Sequence, residues 1–294
     1  MKFTGSYVAL ATPFDDTGAV DERAYQDFVA WQVESGTHGL VPCGTTAEAA
    51  TMSHAEHRRV IELAIEVAKG RSVIMPGTGS NSTAEAIELT RFAQKAGADA
   101  ALVVVPYYNR PSQEGLYQHF KALHDATDLP IFVYNVPGRT GVSIGMETLA
   151  RLSELPRIRG VKDATADLAR PLLLKRLVKA PFWQFSGEDI TAVPFLAQGG
   201  HGCISVTANV APRELATMHE AWTAGDFATV SRINDQLAPL HDALFVESNP
   251  VPVKYALSLL GRFHPRMRLP LVELSDSSRR TVREAMQAAG LLDS

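Results

Sequence analysis

What most limits how this chain can fold is one alternation, repeated eight times. Short apolar runs rich in β-branched residues are each followed by a longer segment with helical spacing. The runs are Tyr7–Phe14, Gly39–Cys43, Ser72–Met75, Ala100–Val105, Ile131–Tyr134, Ile158–Val161, Trp183–Phe185 and Gly202–Val206. The intervening helices are expected at 21–35, 53–69, 82–96, 113–126, 147–155, 167–178, 190–197 and 212–224. Their end signals are local. Gly36 suits a C′ position, and Ser53 with Glu56 three residues later is a capping-box pair. After it, Val60, Leu63, Ala64 and Val67 form one apolar stripe.

Strand-then-helix units in series predict a parallel sheet, and eight of them are the number that closes into a (β/α)8 barrel. The fold class is therefore α/β, with the barrel over 1–224. Residues 225–294 show no strand pattern and read as a helical extension, with helices near 227–246, 252–260 and 275–289. A fold of this kind fixes no function, but it directs attention to the loops at the C-terminal ends of the strands.

Composition narrows the chemistry. A net charge of −4 gives no basic field for nucleic acid or an anionic membrane surface. The two cysteines, Cys43 and Cys203, form no disulfide framework and cannot complete a four-thiolate zinc site. The N-terminus has no signal-peptide layout and no apolar stretch is long enough to span a bilayer, so a cytoplasmic protein is expected. No Walker loop, Gly-x-Gly-x-x-Gly or Gly-x-Ser-x-Gly follows a strand. His54 and His57 flank Glu56 on an expected outer helix without a third ligand, so no metal is assigned.

Of the eight lysines, Lys162 alone falls at the end of a strand, in Val161-Lys162-Asp163-Ala164. The others sit at the terminus, at helix ends or within helices. Lys254 belongs to the last group and reads as solvated. A lysine in a barrel mouth can be stripped of its proton by apolar walls and act as a nucleophile, whereas a free amine titrates near ~10.4. The plainer alternative is a lysine paired with Asp163. Other strand ends carry matching groups. Gly44-Thr45-Thr46 offers hydroxyls and N–H groups to a small carboxylate, or is simply a turn with capping threonines. Tyr107 and Tyr108 follow the fourth strand, and Tyr134 ends the fifth. A phenol can move protons, although tyrosines are also common at core edges. Arg139 presents a fork for a carboxylate, or is an ordinary surface arginine.

Gly44-Thr45-Thr46, Tyr107-Tyr108-Asn109-Arg110-Pro111, Tyr134-Asn135-Val136-Pro137-Gly138-Arg139-Thr140-Gly141 and Val161-Lys162-Asp163-Ala164-Thr165 together resemble the pyruvate-dependent class I aldolase family. The likeness continues through Ser186–Asp189, Gly202–Asn209 and Asn249–Lys254, so it spans nearly the whole chain. It implies a Schiff base between Lys162 and pyruvate, followed by condensation with L-aspartate 4-semialdehyde on the diaminopimelate and lysine route. Tyr134, Thr45 and Tyr108 would form a proton relay, with Tyr108 supplied to a neighbouring subunit. Thr46 would hold the pyruvate carboxylate and Arg139 that of the semialdehyde, while Gly187 and Ile204 line the pocket.

The same resemblance implies a homotetramer built as a dimer of dimers. It also implies an effector site for lysine at His54, His57, Asn81, Glu85 and Tyr107. No cofactor is expected, since the imine is itself the electron sink. Ala47 and Ala49 stand where the family usually has glycine and serine, so weakened lysine inhibition with retained catalysis is expected. The rival readings are a sibling aldolase that releases pyruvate from a sugar acid or hydroxy-oxo acid, an idle homologue acting as a binding protein, and a metal-dependent aldolase.

Overall fold

The computed structural model describes residues 3–293. Eight strands alternate with helices in chain order: β1 (Gly5–Ala9), α1 (Glu22–Glu34), β2 (Gly39–Val41), α2 (His54–Ala68), β3 (Val73–Ile74), α3 (Thr83–Ala96), β4 (Ala101–Val104), α4 (Gln113–Ala126) and β5 (Ile131–Asn135). They continue with α5 (Pro137–Thr140), α6 (Met146–Ser153), β6 (Ile158–Asp163), α7 (Arg170–Leu177), β7 (Trp183–Ser186), α8 (Ala192–Ala197), β8 (Gly202–Ser205) and α9 (Pro212–Ala224). From Gly225 onward the described residues contain helices only: α10 (Phe227–Ala243), α11 (Val251–Leu259) and α12 (Asp276–Ala288). No helix among the described residues is long and apolar enough to cross a membrane.

The helix ends follow from the local sequence. Asp21 caps α1 by accepting from Ala24 N, and Gly36 takes the left-handed conformation just beyond the helix. At α2 both halves of the capping box are made, Ser53 to Glu56 N and Glu56 back to Ser53 N. Two differences from the sequence expectation matter. The first strand ends at Ala9, well short of Phe14, because Asn209 takes over the backbone there: its Oδ1 accepts from Ala11 N and its Nδ2 donates to Ala9 O. The sixth strand runs on to Asp163, so Lys162 lies inside β6 and not beyond it.

The residues group into two compact units, each with its own core. The first comprises, among the described residues, 73–204 together with Phe3 and Thr4. In it β4 to β8 pair in sequence, all parallel. The register sets Val104 beside Tyr134, Tyr134 beside Lys162, and Lys162 beside Phe185. Beneath that level Phe3 packs edge-on against Phe132 and Trp183, and Phe132 against Phe185.

The second unit comprises 5–72 and 205–293 of the described residues. Here β1 pairs with β2 in parallel, and α1 packs on α2 and α9 on α10. Fully buried Gln32 donates to Ala208 O and Asn209 O, so the polar backbone following β8 is satisfied inside the core. Lys254 is a correction to the sequence reading. It is completely buried, with Nζ 2.7 Å from Glu48 Oε1 and lying over the Phe14 ring. Its helix faces Glu48, which is distant in sequence, and helical position alone did not reveal that.

Candidate active site

Lys162 and Tyr134 are neighbours because their strands pair in register and both side chains take the same face of the sheet. Both are buried, and Lys162 Nζ sits 4.2 Å from the centroid of the Tyr134 ring. The amine is thus held against an aromatic face, away from bulk water. The plain alternative, an ion pair with Asp163, is not what the fold builds. Successive residues of a strand point to opposite faces, and Asp163 is engaged elsewhere. Its Oδ2 is 2.8 Å from Arg170 Nε, and its Oδ1 accepts from Thr165 N at 3.0 Å and Thr165 Oγ1 at 2.5 Å. Arg170 also donates to Ile144 O, which completes the lock.

Gly187 is required by space. A Cβ there would lie 2.6 Å from Ala164 Cβ and 3.2 Å from Lys162 Cε. Glycine therefore lets the chain after β7 pass close to the lysine stem. Gly187 N donates to Asp163 O at 2.7 Å, which ties the two strand ends together. Ile204 is fully buried on β8. Arg139 sits on the single turn α5, exposed, where sequence reading expected a loop.

Glu188 was not singled out from sequence. It is half-buried, and burial pushes its carboxyl above the usual carboxylate range while the Lys162 and Arg139 charges pull it back. Only its place directly after Gly187 could have signalled it.

Tyr107 and Tyr108 leave the sheet after β4. Tyr108 is 90% exposed and has φ +70°, and Arg110 is also left-handed. A left-handed tyrosine costs about 1–2 kcal/mol, so the loop spends energy to display this phenol outward. Asn109 Nδ2 donates to Asn81 O at 2.9 Å, which ties the loop after β4 to the one before α3, and Ser80 Oγ donates to Glu85 in the first turn of α3.

Thr45 and Thr46 lie in the other unit, on a 3-10 turn from Thr45 to Ala47 after β2. Thr46 Oγ1 accepts from Asn249 Nδ2 at 3.0 Å. Ala47 is buried within that turn, and the left-handed residue is Glu48, with φ +58°. The alanine that replaces glycine therefore costs no backbone strain at its own position. On α2 of the same unit, His54 is exposed, whereas His57 is buried.

Comparison with known proteins is unambiguous. The Dihydrodipicolinate synthetase family matches residues 2–289. A 4-hydroxy-tetrahydrodipicolinate synthase of Rhodospirillum centenum is 61% identical over 290 residues, covering 99% of both chains. The chloride-inhibited dihydrodipicolinate synthase of Acinetobacter baumannii, solved with pyruvate, superposes with a TM-score of 0.96 at 46% identity, over 99% of this chain and 100% of that one. The enzyme of Cyanidioschyzon merolae with lysine bound gives 0.94 at 38% identity, over 99% of each chain. The fold class is accordingly (β/α)8 with a C-terminal helical extension.

Proposed function

Because the chain belongs to the dihydrodipicolinate synthetase family, as a lyase-type 4-hydroxy-tetrahydrodipicolinate synthase of lysine and diaminopimelate biosynthesis, we propose that it condenses pyruvate with L-aspartate 4-semialdehyde on Lys162. The observation that carries this is the buried Lys162 amine stacked on Tyr134, with the adjacent Asp163 already engaged by Arg170.

Neutral Lys162 Nζ attacks the keto carbon of pyruvate. The carbinolamine loses water as Tyr134 passes a proton to the departing oxygen, and an imine results. The imine acidifies the methyl group, and loss of one of its protons gives the enamine. That carbon adds to the aldehyde carbon of the semialdehyde, whose oxygen takes up a proton. The semialdehyde amine then attacks the imine carbon and expels Lys162 Nζ, closing the ring and freeing the enzyme.

Thr45 and Tyr108 extend the proton relay from Tyr134. Thr46 holds the pyruvate carboxylate, Arg139 holds that of the semialdehyde, and Gly187 and Ile204 wall the pocket. The outward, left-handed Tyr108 fits a phenol donated to a second subunit. Exposed Leu172, Leu173 and Leu177 on α7 supply a separate apolar face. Two such surfaces are what a dimer of dimers needs. We place the enzyme in the cytoplasm. Lysine is the proposed effector, at His54, His57, Asn81, Glu85 and Tyr107. The likeness to the lysine-bound Cyanidioschyzon merolae enzyme supports that reading.

The test is borohydride reduction in the presence of pyruvate, followed by peptide mass mapping, together with turnover of the semialdehyde in a coupled assay. Mass gain on Lys162 and turnover are expected. Full inactivation with Lys162 unmodified refutes the imine, and cleavage of a sugar acid without semialdehyde turnover favours the sibling aldolase.

A further inference from the structure

Glu48 and Lys254 form a buried ion pair that no step above uses. Their side chains are 1% and 0% exposed. The pair is expensive. Lys254 lies in the first half of α11, towards the end where the helix dipole disfavours a cation. Burial pulls its amine down to about 8 despite the carboxylate beside it, so desolvation outweighs attraction. Replacing such a pair by apolar residues commonly costs a protein nothing. Its presence therefore calls for a reason other than stability.

The geometry supplies one. Glu48 joins two 3-10 turns, Thr45–Ala47 and Ala49–Thr51, and holds φ +58° at the junction. Its N–H donates to Thr45 O at 3.1 Å, and its O accepts from Thr51 N and Thr51 Oγ1, both at 3.0 Å. Its carboxylate is fixed at both oxygens, Oε1 by Lys254 Nζ at 2.7 Å and Oε2 by Arg268 N at 2.9 Å. Five residues before Lys254, Asn249 Nδ2 donates to Thr46 Oγ1. Lys254 N bonds to Pro250 O at 3.0 Å, which ties the stretch from Asn249 into the start of α11. One short segment thus grips the threonine turn at two points, the Thr46 hydroxyl and the carboxylate two residues later. With its oxygen accepting from Asn249, the Thr46 hydroxyl keeps its own proton to donate.

We propose that Glu48 and Lys254 are positioning residues whose buried pair holds the left-handed turn that carries Thr46, the proposed ligand of the pyruvate carboxylate. This rests on the assignment of Thr46 to that carboxylate. The test uses the full-length protein with Glu48→Gln/Lys254→Met, which removes both charges at near-constant volume, and with Glu48→Gln alone, which keeps a hydrogen bond to Lys254. Borohydride trapping on Lys162 is titrated with pyruvate, and KM for each substrate is separated from kcat.

The double variant should trap fully at saturation, while the pyruvate concentration for half-trapping rises about tenfold or more, as a misplaced contact demands. KM for the semialdehyde should stay put, and the single variant should fall between. A pair that merely stabilises the fold would lower the melting temperature with half-trapping unchanged, or leave no folded protein in either variant. Either result overturns the positioning role. Wild-type protein that traps no pyruvate at all would instead overturn the assignment on which the role rests.

Discussion

Gly187→Ala tests the packing around the proposed nucleophile most directly. The added methyl would sit 2.6 Å from Ala164 Cβ, 3.1 Å from Ala164 Cα and 3.2 Å from Lys162 Cε. Carbon atoms pack comfortably at about 3.5–4.0 Å, so the first contact is short by about 1 Å. Ala164 is held by its own N–H to Asn135 O, and Gly187 by its N–H to Asp163 O. Neither backbone can retreat without breaking a bond between strand ends. One strand end must therefore give way at Ala164, and the lysine stem, 3.2 Å from the new methyl, is displaced with it. Overpacking of this size costs about 1–3 kcal/mol of stability. A reacting atom displaced by about 1 Å costs about a hundredfold in rate, near 3 kcal/mol of barrier. The expected result is a folded enzyme whose kcat/KM and borohydride-trapping rate both fall about a hundredfold. Adding Ala164→Gly removes the shortest contact and should return about tenfold of that loss. Gly187→Ala with both rates within about twofold of wild type would refute the reasoning.

Three further outcomes are expected. Arg170→Leu strands buried Asp163 without its partner and should cost about 3–5 kcal/mol in urea unfolding; an unchanged midpoint would deny the lock its role. His119 is buried and its pKa is lowered to about 4, so the folded protein resists a proton that the unfolded chain accepts from about 6.5 downward. The stability this group contributes is full above pH 6.5 and drains as pH falls toward 4, about 3 kcal/mol in all; His119→Gln should flatten that part of the stability profile relative to wild type, and parallel profiles would contradict it. Lysine titrated at fixed substrate should inhibit weakly, and Ala49→Ser should strengthen inhibition; inhibition in the nanomolar-to-micromolar range in the wild type would contradict the expectation.

What the sequence disclosed depended on how local each cause was. The strand and helix alternation was readable because burial on one face writes a period into neighbouring residues. Caps were readable for the same reason, as at Ser53 and Glu56. The single turn α5 was not, because Pro137–Thr140 is too short to carry a period. The early end of β1 was not either, since Ala9 and Ala11 are claimed by the amide of Asn209 from the far side of the sequence. Glu48 gave no warning of its left-handed backbone, as glutamate has no preference for that region.

The two buried lysines show why position on an element is an incomplete guide to chemistry. Each ammonium lies over an aromatic ring, Lys162 at 4.2 Å from Tyr134 and Lys254 at 4.3 Å from Phe14. Burial and ring contact therefore do not distinguish them. Bonded carboxylates do, since Glu188 meets Lys162 only as a charge and not as an ion-paired partner. Lys254 has Glu48 at 2.7 Å, a bonded partner that favours its charged form although burial outweighs it. Beside Lys162 the nearest acid in sequence, Asp163, is turned to the opposite face and given to Arg170. A nucleophilic amine needs its lone pair, so the fold makes Lys162 usable by engaging its neighbour elsewhere. Arg170 is thereby part of the design of the site although its guanidinium reaches Asp163 and not the amine. Restoring a competing carboxylate would test this. Ala164→Asp, placed where Ala164 Cβ meets the Gly187 chain, should suppress pyruvate trapping at neutral pH and recover part of it as pH rises. Equal loss at every pH would assign the defect to crowding alone.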